Sequence, residues 1–425
     1  MTISTNSTNN VLYDYKFSLL RNFGINQLKN YLKTKIEDFN KLFRQASGSS
    51  YEKIQTVLNE QVSQGFDDSE IDKTFFEAIV HLFPERCYYL NITTDLTANE
   101  AFQELKTSSK YSPYIERKLS QVVHPDEKLI TIRQEGNRII FLFKLGMAEL
   151  GIKKEKCAFY VSCILDFKHK HMEIRLNQHL LRNTTNIQLR HVINYMYQFV
   201  NNQLPIALIA SKPGEAKIHK GLYKLFLDES NKSLRLIKKE VAKNEEKEST
   251  KLTEKELRQN ISKYLKEQLH ISNPDPFVEK VMTVKYQDTV HNMKLEDFIK
   301  DGGYIFGFGF IDRKITRSVN RNEDHKPVYY SKIYWNLKDL VKEYEEISEI
   351  GVYWRFNKND FMKRLTGKEK EEDLSFVEVA FKEIHSVLEI HYYVDYTQSN
   401  SLASSVDERR IKEEYVIQKI KGFIQ

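Results

Sequence analysis

Residues 157–177 largely alternate between apolar and polar side chains with a period of two; Ala158 and Ile164 are exceptions, and the phase of the alternation changes near 168–170. Because successive strand residues point to opposite faces, this pattern predicts a hairpin of two antiparallel strands that turns at 168–170. One face is predicted to be apolar and to pack on a core; it consists of Phe159, Val161, Cys163, Leu165, Phe167, Met172, Ile174 and Leu176. The opposite face is predicted to be polar and exposed to solvent; it consists of Tyr160, Ser162, Asp166, His171, Glu173 and Arg175.

Segments with helical spacing of apolar residues and segments with strand-like alternation are mixed along the whole chain. Helices are predicted, among other places, at 11–45, 51–64, 70–83, 219–240, 337–347 and 374–388. Strands are predicted, among other places, at 86–92, 128–146, 206–211, 302–319, 326–336 and 351–357. Helices and strands do not alternate strictly in either half, which favours an α+β fold of two lobes, each mixing helices with a mostly antiparallel sheet.

A run of charged and small polar residues at 238–255 separates two parts of the chain. The length of 425 residues is typical of two domains. We therefore predict an N-terminal α+β domain at 1–240, with a helical start and a basic central β section, and a C-terminal α+β domain at 241–425.

Composition bounds the class of protein. No apolar run reaches the ~18 residues that a membrane span needs, and the N-terminus lacks the basic-then-apolar order of a signal peptide. We therefore expect a cytoplasmic protein that does not enter a membrane. The three cysteines (Cys87, Cys157 and Cys163) show no CxxC spacing, which favours buried, reduced thiols. Few glycines and abundant Lys, Asn and Ile suggest a bacterial or phage origin.

Positive charge is concentrated in one central segment. Residues 151–240 contain 16 basic and 7 acidic residues, whereas the segments on either side are close to balanced. Such asymmetry is typical of a surface that faces a polyanion. Our leading hypothesis is therefore a nucleic-acid-interacting protein, a binding or regulatory component that contacts the phosphates of DNA or RNA. The candidate phosphate contacts are Lys168, Lys170, Arg175, Arg182, Arg190, Lys212, Lys217 and Lys220.

A second candidate for nucleic-acid contact lies at 311–335, where basic and aromatic residues are interleaved. Cations that bind phosphates beside aromatic rings that stack on bases are typical of single-strand binding. Burial of the aromatic residues in a core is the competing interpretation. The basic candidates are Arg313, Arg317 and Arg321, and the aromatic ones are Tyr329, Tyr330, Tyr334 and Trp335.

The tripeptide Asp166-Phe167-Lys168 supports an alternative, a metal-dependent nuclease. It resembles one half of the motif of restriction-endonuclease-class enzymes, in which carboxylates hold Mg²⁺ and a Lys stabilises charge on the phosphate. The partner carboxylate would be Glu173, Glu135 or Glu149. Apart from this Mg²⁺ no cofactor is expected.

Two further interpretations of the hairpin remain open. His169, His171 and Glu173 form an HxHxE pattern that could chelate a metal, although His169 falls in the predicted turn. A protein-interaction scaffold, a subunit of a larger complex with a protein partner, is the remaining alternative. A helper role in a phage-defence or mobile-element system would suit the binding or regulatory component.

Overall fold

A computed structural model describes residues 15–121, 127–247, 252–312, 316–322, 324–393 and 402–424. The chain divides into two compact units. Unit 1 comprises Met1–Pro213 and Glu389–Glu414, and unit 2 comprises Gly214–Leu388 and Tyr415–Gln425. Both units mix helices with antiparallel strands, which confirms the predicted α+β class.

The described residues form strands and helices as follows. The strands are β1 (Arg86–Thr93), β2 (Leu129–Glu135), β3 (Arg138–Leu150), β4 (Glu155–Asp166), β5 (His171–Leu176), β6 (Ile209–Ser211), β7 (Gly303–Asp312), β8 (Thr316–Arg321), β9 (Glu349–Asn357), β10 (Leu374–Ile384) and β11 (Val387–Tyr393). The helices are α1 (Phe17–Leu20), α2 (Ile25–Lys33), α3 (Phe39–Gln45), α4 (Ser50–Ser63), α5 (Ser69–Glu77), α6 (Ala98–Thr107), α7 (Gln178–Arg182), α8 (Leu189–Asn202), α9 (Glu215–Lys247), α10 (Glu254–Glu267), α11 (Asp275–His291), α12 (Leu295–Lys300), α13 (Lys332–Tyr344) and α14 (Leu402–Ile424). Single helical turns lie at Ala78–Leu82, Ser112–Tyr114, Leu119–Gln121, Val328–Tyr330 and Glu371–Asp373.

Unit 1 is built on an antiparallel sheet in the order β2-β3-β4-β5-β1. The strands β4 and β5 form the predicted hairpin, with Asp166 opposite His171 and Ser162 opposite Arg175. The hairpin of β2 and β3 turns at Gly136, whose φ of 58° is the left-handed conformation that glycine favours. The helices α1 to α5 pack their apolar faces against each other and against side chains of β2, β3 and β4. Local alternation thus correctly predicts the two strands that carry Asp166, His171 and Glu173.

Unit 2 contains an antiparallel sheet in the order β8-β7-β9-β10. The long helix α9 packs across β7, β9 and β10. Trp354 on β9 is fully buried, and its indole Nε1 donates a hydrogen bond of 2.9 Å to Glu229 on α9. The sequence predicts a helix interrupted near 229–233, but α9 continues without a break to Lys247.

Two predicted elements of unit 2 are wrong in type. The segment 374–388 was expected to be helical, but it forms β10 and the start of β11. Val377, Val379 and Phe381 are buried at alternate positions because the segment pairs with β9 as a strand. The segment 326–336 was expected to be a strand, but it forms a helical turn and the start of α13, in which Tyr334 and Trp335 are buried. In the part of the chain that is described, no helix is long and apolar enough to cross a membrane.

Candidate functional site

The turn between β4 and β5 places Asp166, Lys168 and His169 at the end of these two strands, which lie in the interior of the sheet of unit 1. The backbone N–H of Phe167 donates to the carbonyl of Asn137, in the adjacent turn, at 3.0 Å. The backbone N–H of His169 donates to Oδ1 of Asp166 at 2.8 Å, which closes the turn on the aspartate. Lys168 is exposed at the apex of this turn, while Asp166 is 1% exposed.

These three residues line a cleft of about 910 Å³ that is formed within unit 1. Six carboxylates and six basic side chains line it, so the cleft is close to balanced in charge. Most of the basic side chains have a carboxylate partner: Arg133 pairs with Asp72, for example, at 2.6 Å. The charges of the cleft lining are therefore largely compensated by ion pairs within unit 1.

Asp166 is held in the ionised form. Its Oδ2 accepts hydrogen bonds from Nε of Arg138 at 2.7 Å and from Nδ1 of His169 at 3.1 Å. Burial alone would raise the pKa of Asp166, but the charges of His171 and Arg138, together with the bonds from His169, lower that pKa below its usual range. Asp166 therefore contributes a negatively charged carboxylate that lies next to His169 and His171.

Asp166, His169 and His171 each offer one donor atom within 4.8 Å of the others. His171 lies directly opposite Asp166 in the β4–β5 register, which is why two residues five positions apart in sequence share one location. Imidazole nitrogens with a carboxylate oxygen are a common ligand set for divalent transition metals. The two histidines of the HxHxE pattern thus belong to the cluster, and its carboxylate comes from Asp166 and not from Glu173.

Glu173 and Arg175 lie behind this cluster, in the interior of unit 1. Glu173 accepts a hydrogen bond of 2.8 Å from Nε2 of His171 and one of 2.7 Å from Nε of Arg175. Arg175 also donates to Glu413 of α14 at 2.8 Å and to His81 at 3.0 Å. Glu173 and Arg175 are 0% and 1% exposed, so the expectation that this face of the hairpin is solvated is wrong. The turn that carries His81 and the helix that carries Glu413 cover it.

This buried network makes stability depend on pH. Burial would raise the pKa of Glu413, but Arg175 and Arg409 lower it well below the ordinary value of 4.5. A depressed carboxylate pKa gives stability that is fully present above the unfolded-state pKa and is lost as the pH falls below it. We therefore expect the urea midpoint of the wild-type protein to fall steeply below about pH 4.5.

The Glu413→Gln variant is the control for this pH dependence. It is expected to be less stable at neutral pH, because Arg175 and Arg409 lose their shared anion, and to show a flatter decline in acid. Urea unfolding of both proteins between about pH 7 and pH 3 measures the two slopes. Parallel slopes would assign the acid sensitivity to other carboxylates.

The remaining candidates for the partner carboxylate are Glu135 and Glu149. Glu135 lines the cleft and pairs with Arg410 at 2.8 Å and with His81 at 3.3 Å. Burial would raise the pKa of Glu135, but its bond and charge contact with His81 lower that pKa. Glu149, near the other end of β3, lies 3.8 Å from Lys154 and outside the cleft lining.

The cations predicted to contact phosphates belong to several elements, some in unit 1 and some in unit 2. Lys168 lines the cleft, whereas Lys170 donates to the carbonyl of Thr94 at 2.8 Å and is outside the lining. Arg182 on α7 and Arg190 on α8 are exposed in unit 1, and Lys217 and Lys220 are exposed on α9 in unit 2. Lys212 is half-buried beside Asn194 and Tyr197.

The basic and aromatic region 311–335 is mainly a packing feature in the described residues. Tyr329, Tyr334 and Trp335 are at most 3% exposed, so their rings are not available for stacking on bases. Arg317 forms an ion pair with Glu349, and Arg321 lies over the ring of Phe306. Arg313 lies outside the described residues.

The cysteines take no part in the site. All three are buried and free, as the sequence predicts. Burial raises the pKa of Cys87 to about 12 and that of Cys157 to about 12, which leaves almost no thiolate at neutral pH. None of the three cysteines lines the cleft.

Sequence reasoning missed Arg138 and Arg410. Arg138 lies opposite Asp166 in the β3–β4 register. Counting back from the connection between β3 and β4 would have placed Phe167 opposite Arg138, because a bulge between Lys144 and Gly146 shifts the register by one residue. Arg410 reaches the cleft from α14 and contacts Glu77 and Glu135. No local pattern in the sequence connects residues that far apart in the chain.

Comparison with known proteins gives no match to a protein-family model, to a curated sequence or to a solved structure.

Proposed function

We propose that unit 1 hydrolyses phosphodiester bonds in single-stranded nucleic acid with the help of a divalent metal ion. The observation that carries this proposal is the convergence of Asp166, His169 and His171, whose donor atoms lie within 4.8 Å of one another. Asp166 and His169 line the cleft together with Lys168. The proposal combines two hypotheses from the sequence: interaction with nucleic acid and a nuclease centred on Asp166 and Lys168.

The residues of the cluster suit a metal ion in several ways. Asp166 is ionised, and His171 is held by Glu173 through Nε2, which leaves its Nδ1 as the nitrogen that can coordinate. A carboxylate behind a ligating histidine is a common arrangement, because it fixes the ring and makes it a better donor. In this account Glu173 positions a metal ligand and does not contact the substrate.

The chain's own residues supply the remaining roles. A bound metal ion would polarise the phosphate and make a water molecule more acidic. In hydrolysis the oxygen of water bonds to phosphorus, the bond from phosphorus to the leaving sugar oxygen breaks, and that oxygen takes a proton. Lys168 is exposed beside Asp166 and is placed to neutralise the charge that grows on the phosphate oxygens. Arg138 holds the carboxylate of Asp166 in place.

The size of the cleft supports a single strand as the substrate. Its volume of about 910 Å³ is in the range of clefts that hold small molecules, or one to two nucleotides of a strand. A duplex would need a much broader surface, roughly 1,000 Å² or more of protein. The exposed Arg182 and Arg190 remain proposed phosphate contacts outside the cleft. A cytoplasmic location and a role in phage defence also remain predictions.

Two lysines of the same turn provide a matched test. The Lys168→Met variant is expected to cleave labelled single-stranded DNA about 100-fold more slowly, the usual effect of removing one group that stabilises developing charge. The Lys170→Met variant removes the same charge two residues away, outside the cleft lining, and is expected to keep the wild-type rate. Single-turnover cleavage with Mn²⁺ measures both.

Three results would count against the proposal. Equal losses in the two variants would mean that the turn contributes only general positive charge. Salt-sensitive binding without cleavage would favour a binding component over a nuclease. Neither binding nor cleavage, with a stable protein partner recovered instead, would favour the scaffold hypothesis.

A further inference from the structure

Unit 2 contains a buried histidine whose imidazole lacks a hydrogen-bond partner among the described residues. His219 on α9 is 3% exposed. Oε2 of Glu346 lies 4.0 Å from its Nδ1, which is beyond hydrogen-bond distance. The ring nitrogens are therefore available to a ligand.

Carboxylates surround the same imidazole. Glu215, His219 and Glu383 each offer one donor atom, and these atoms lie within 4.8 Å of one another. Glu215 and His219 are four residues apart on α9 and therefore project from the same face of the helix. Glu383 comes from β10. The set consists of two carboxylates and one buried imidazole, with Glu346 beside them.

Backbone contacts hold the two contributing elements together. The residues His385 and Ser386 both have positive φ angles, of 53° and 65°, and form the tight turn after β10. The N–H of Ser386 donates to Oε1 of Glu383 at 2.7 Å, and its carbonyl accepts from the N–H of Gly214 at 3.2 Å. The turn therefore fixes Glu383 next to the first residues of α9.

We propose that Glu215, His219 and Glu383 bind a divalent transition-metal ion, with Glu346 as an additional oxygen donor. Imidazole nitrogen with carboxylate oxygen is a ligand set that Zn²⁺ and its neighbours in the first transition row accept. Metal bonds of about 2.0–2.2 Å bring ligand atoms to roughly 3–4 Å from one another. Glu215 is exposed, so its side chain has room to move toward the other two ligands.

The ion would link the start of α9 to the turn after β10. These are two segments that are far apart in the sequence, and an ion that binds only the folded protein stabilises it in proportion to its affinity. The proposed role is therefore structural, in unit 2, and it uses none of the residues proposed for hydrolysis in unit 1. The two proposals can fail independently.

The test is calorimetric titration of Zn²⁺ into the His169→Ala protein, in which the cluster of unit 1 lacks a ligand. Adding Glu215→Gln or His219→Asn to that protein is expected to weaken Zn²⁺ binding at least about 100-fold. The control is His385→Asn, which removes an exposed imidazole from the neighbouring turn and keeps a residue that tolerates positive φ. That variant is expected to bind Zn²⁺ within about twofold of the His169→Ala protein.

A thermal unfolding experiment gives a second readout. Zn²⁺ is expected to raise the Tm of the His169→Ala protein and to leave that of its Glu215→Gln derivative unchanged. Because Glu215 is exposed, this derivative tests the proposal even if His219→Asn fails to fold. Absence of Zn²⁺ binding, or binding that Glu215→Gln does not weaken, would overturn the proposal.

Discussion

Replacing Arg175 with Met is expected to lower the free energy of unfolding by about 3–5 kcal/mol, because the substitution leaves buried carboxylates without their shared partner. Arg175 donates to Glu173 and to Glu413, which are 0% and 1% exposed. Neither carboxylate can turn toward water, and the substitution leaves Glu173 with only His171 and Glu413 with Arg409 as side-chain partners of opposite charge, so part of the penalty of burial is no longer compensated. Urea unfolding at neutral pH measures the loss.

The matched control is Lys168→Met. Both residues are cations of the same hairpin, and the sequence predicts both as phosphate contacts. Lys168 is exposed, so its replacement is expected to change the free energy of unfolding by no more than about 0.5 kcal/mol. If Arg175→Met were as mild as Lys168→Met, the buried network would not be the element that joins α14 to the hairpin.

Replacing Asp166 with Asn is expected to slow metal-dependent cleavage about 1,000-fold while binding of the single strand survives. The substitution preserves the shape of the side chain but removes the charge that would hold the metal ion. Loss of the several kcal/mol that a metal ion contributes to the transition state corresponds to a change of this size. Cleavage under single-turnover conditions, with binding measured separately in the presence of a chelator, distinguishes the two effects.

Asp72→Asn is the control for this substitution. Asp72 is also a buried carboxylate of the cleft lining, and it is paired with Arg133 at 2.6 Å, but it lies outside the cluster of Asp166, His169 and His171. The loss of stability should be similar in both variants, whereas cleavage by Asp72→Asn should fall by no more than about tenfold. If both variants lost cleavage equally, the loss would be caused by damage to the fold of the cleft and not by removal of a metal ligand.

The hairpin of β4 and β5 shows what the sequence predicts well. Its strands, its turn and the division of its side chains between two faces all follow from alternation within 157–177. The burial of the polar face does not follow. Its partners include His81 and Glu413, which are 94 and 238 positions from Arg175. Alternation identifies which side chains share a face, but it does not identify what covers that face.

The C-terminal part shows where local patterns are ambiguous. Apolar residues at 376, 377, 380 and 381 fit helical spacing, so a helix was predicted at 374–388. In the structure the segment is a strand that pairs with β9, and this pairing buries Val377, Val379 and Phe381 on one side. Short amphipathic segments of this kind are assigned by their tertiary partners rather than by their own propensity.

The site in unit 2 was missed for a different reason. Residues 211–221 contain Pro213 and Gly214, and the only function that the sequence predicts for this segment is phosphate contact by Lys212, Lys217 and Lys220. The helix α9 begins at Glu215, directly after these residues. Once the helix is known, the spacing of Glu215 and His219 places both on one face. That spacing is the signal in the sequence that could have identified them.

The most direct test of the central claim is cleavage of end-labelled single-stranded DNA and RNA by the purified wild-type protein. The assay compares Mn²⁺, Mg²⁺ and Zn²⁺ with an excess of chelator. We expect cleavage with at least one of these ions, no cleavage with the chelator, and recovery of cleavage when the ion is restored. A folded protein that leaves both strands intact with every ion would contradict the assignment of the cleft around Asp166 as a nuclease site.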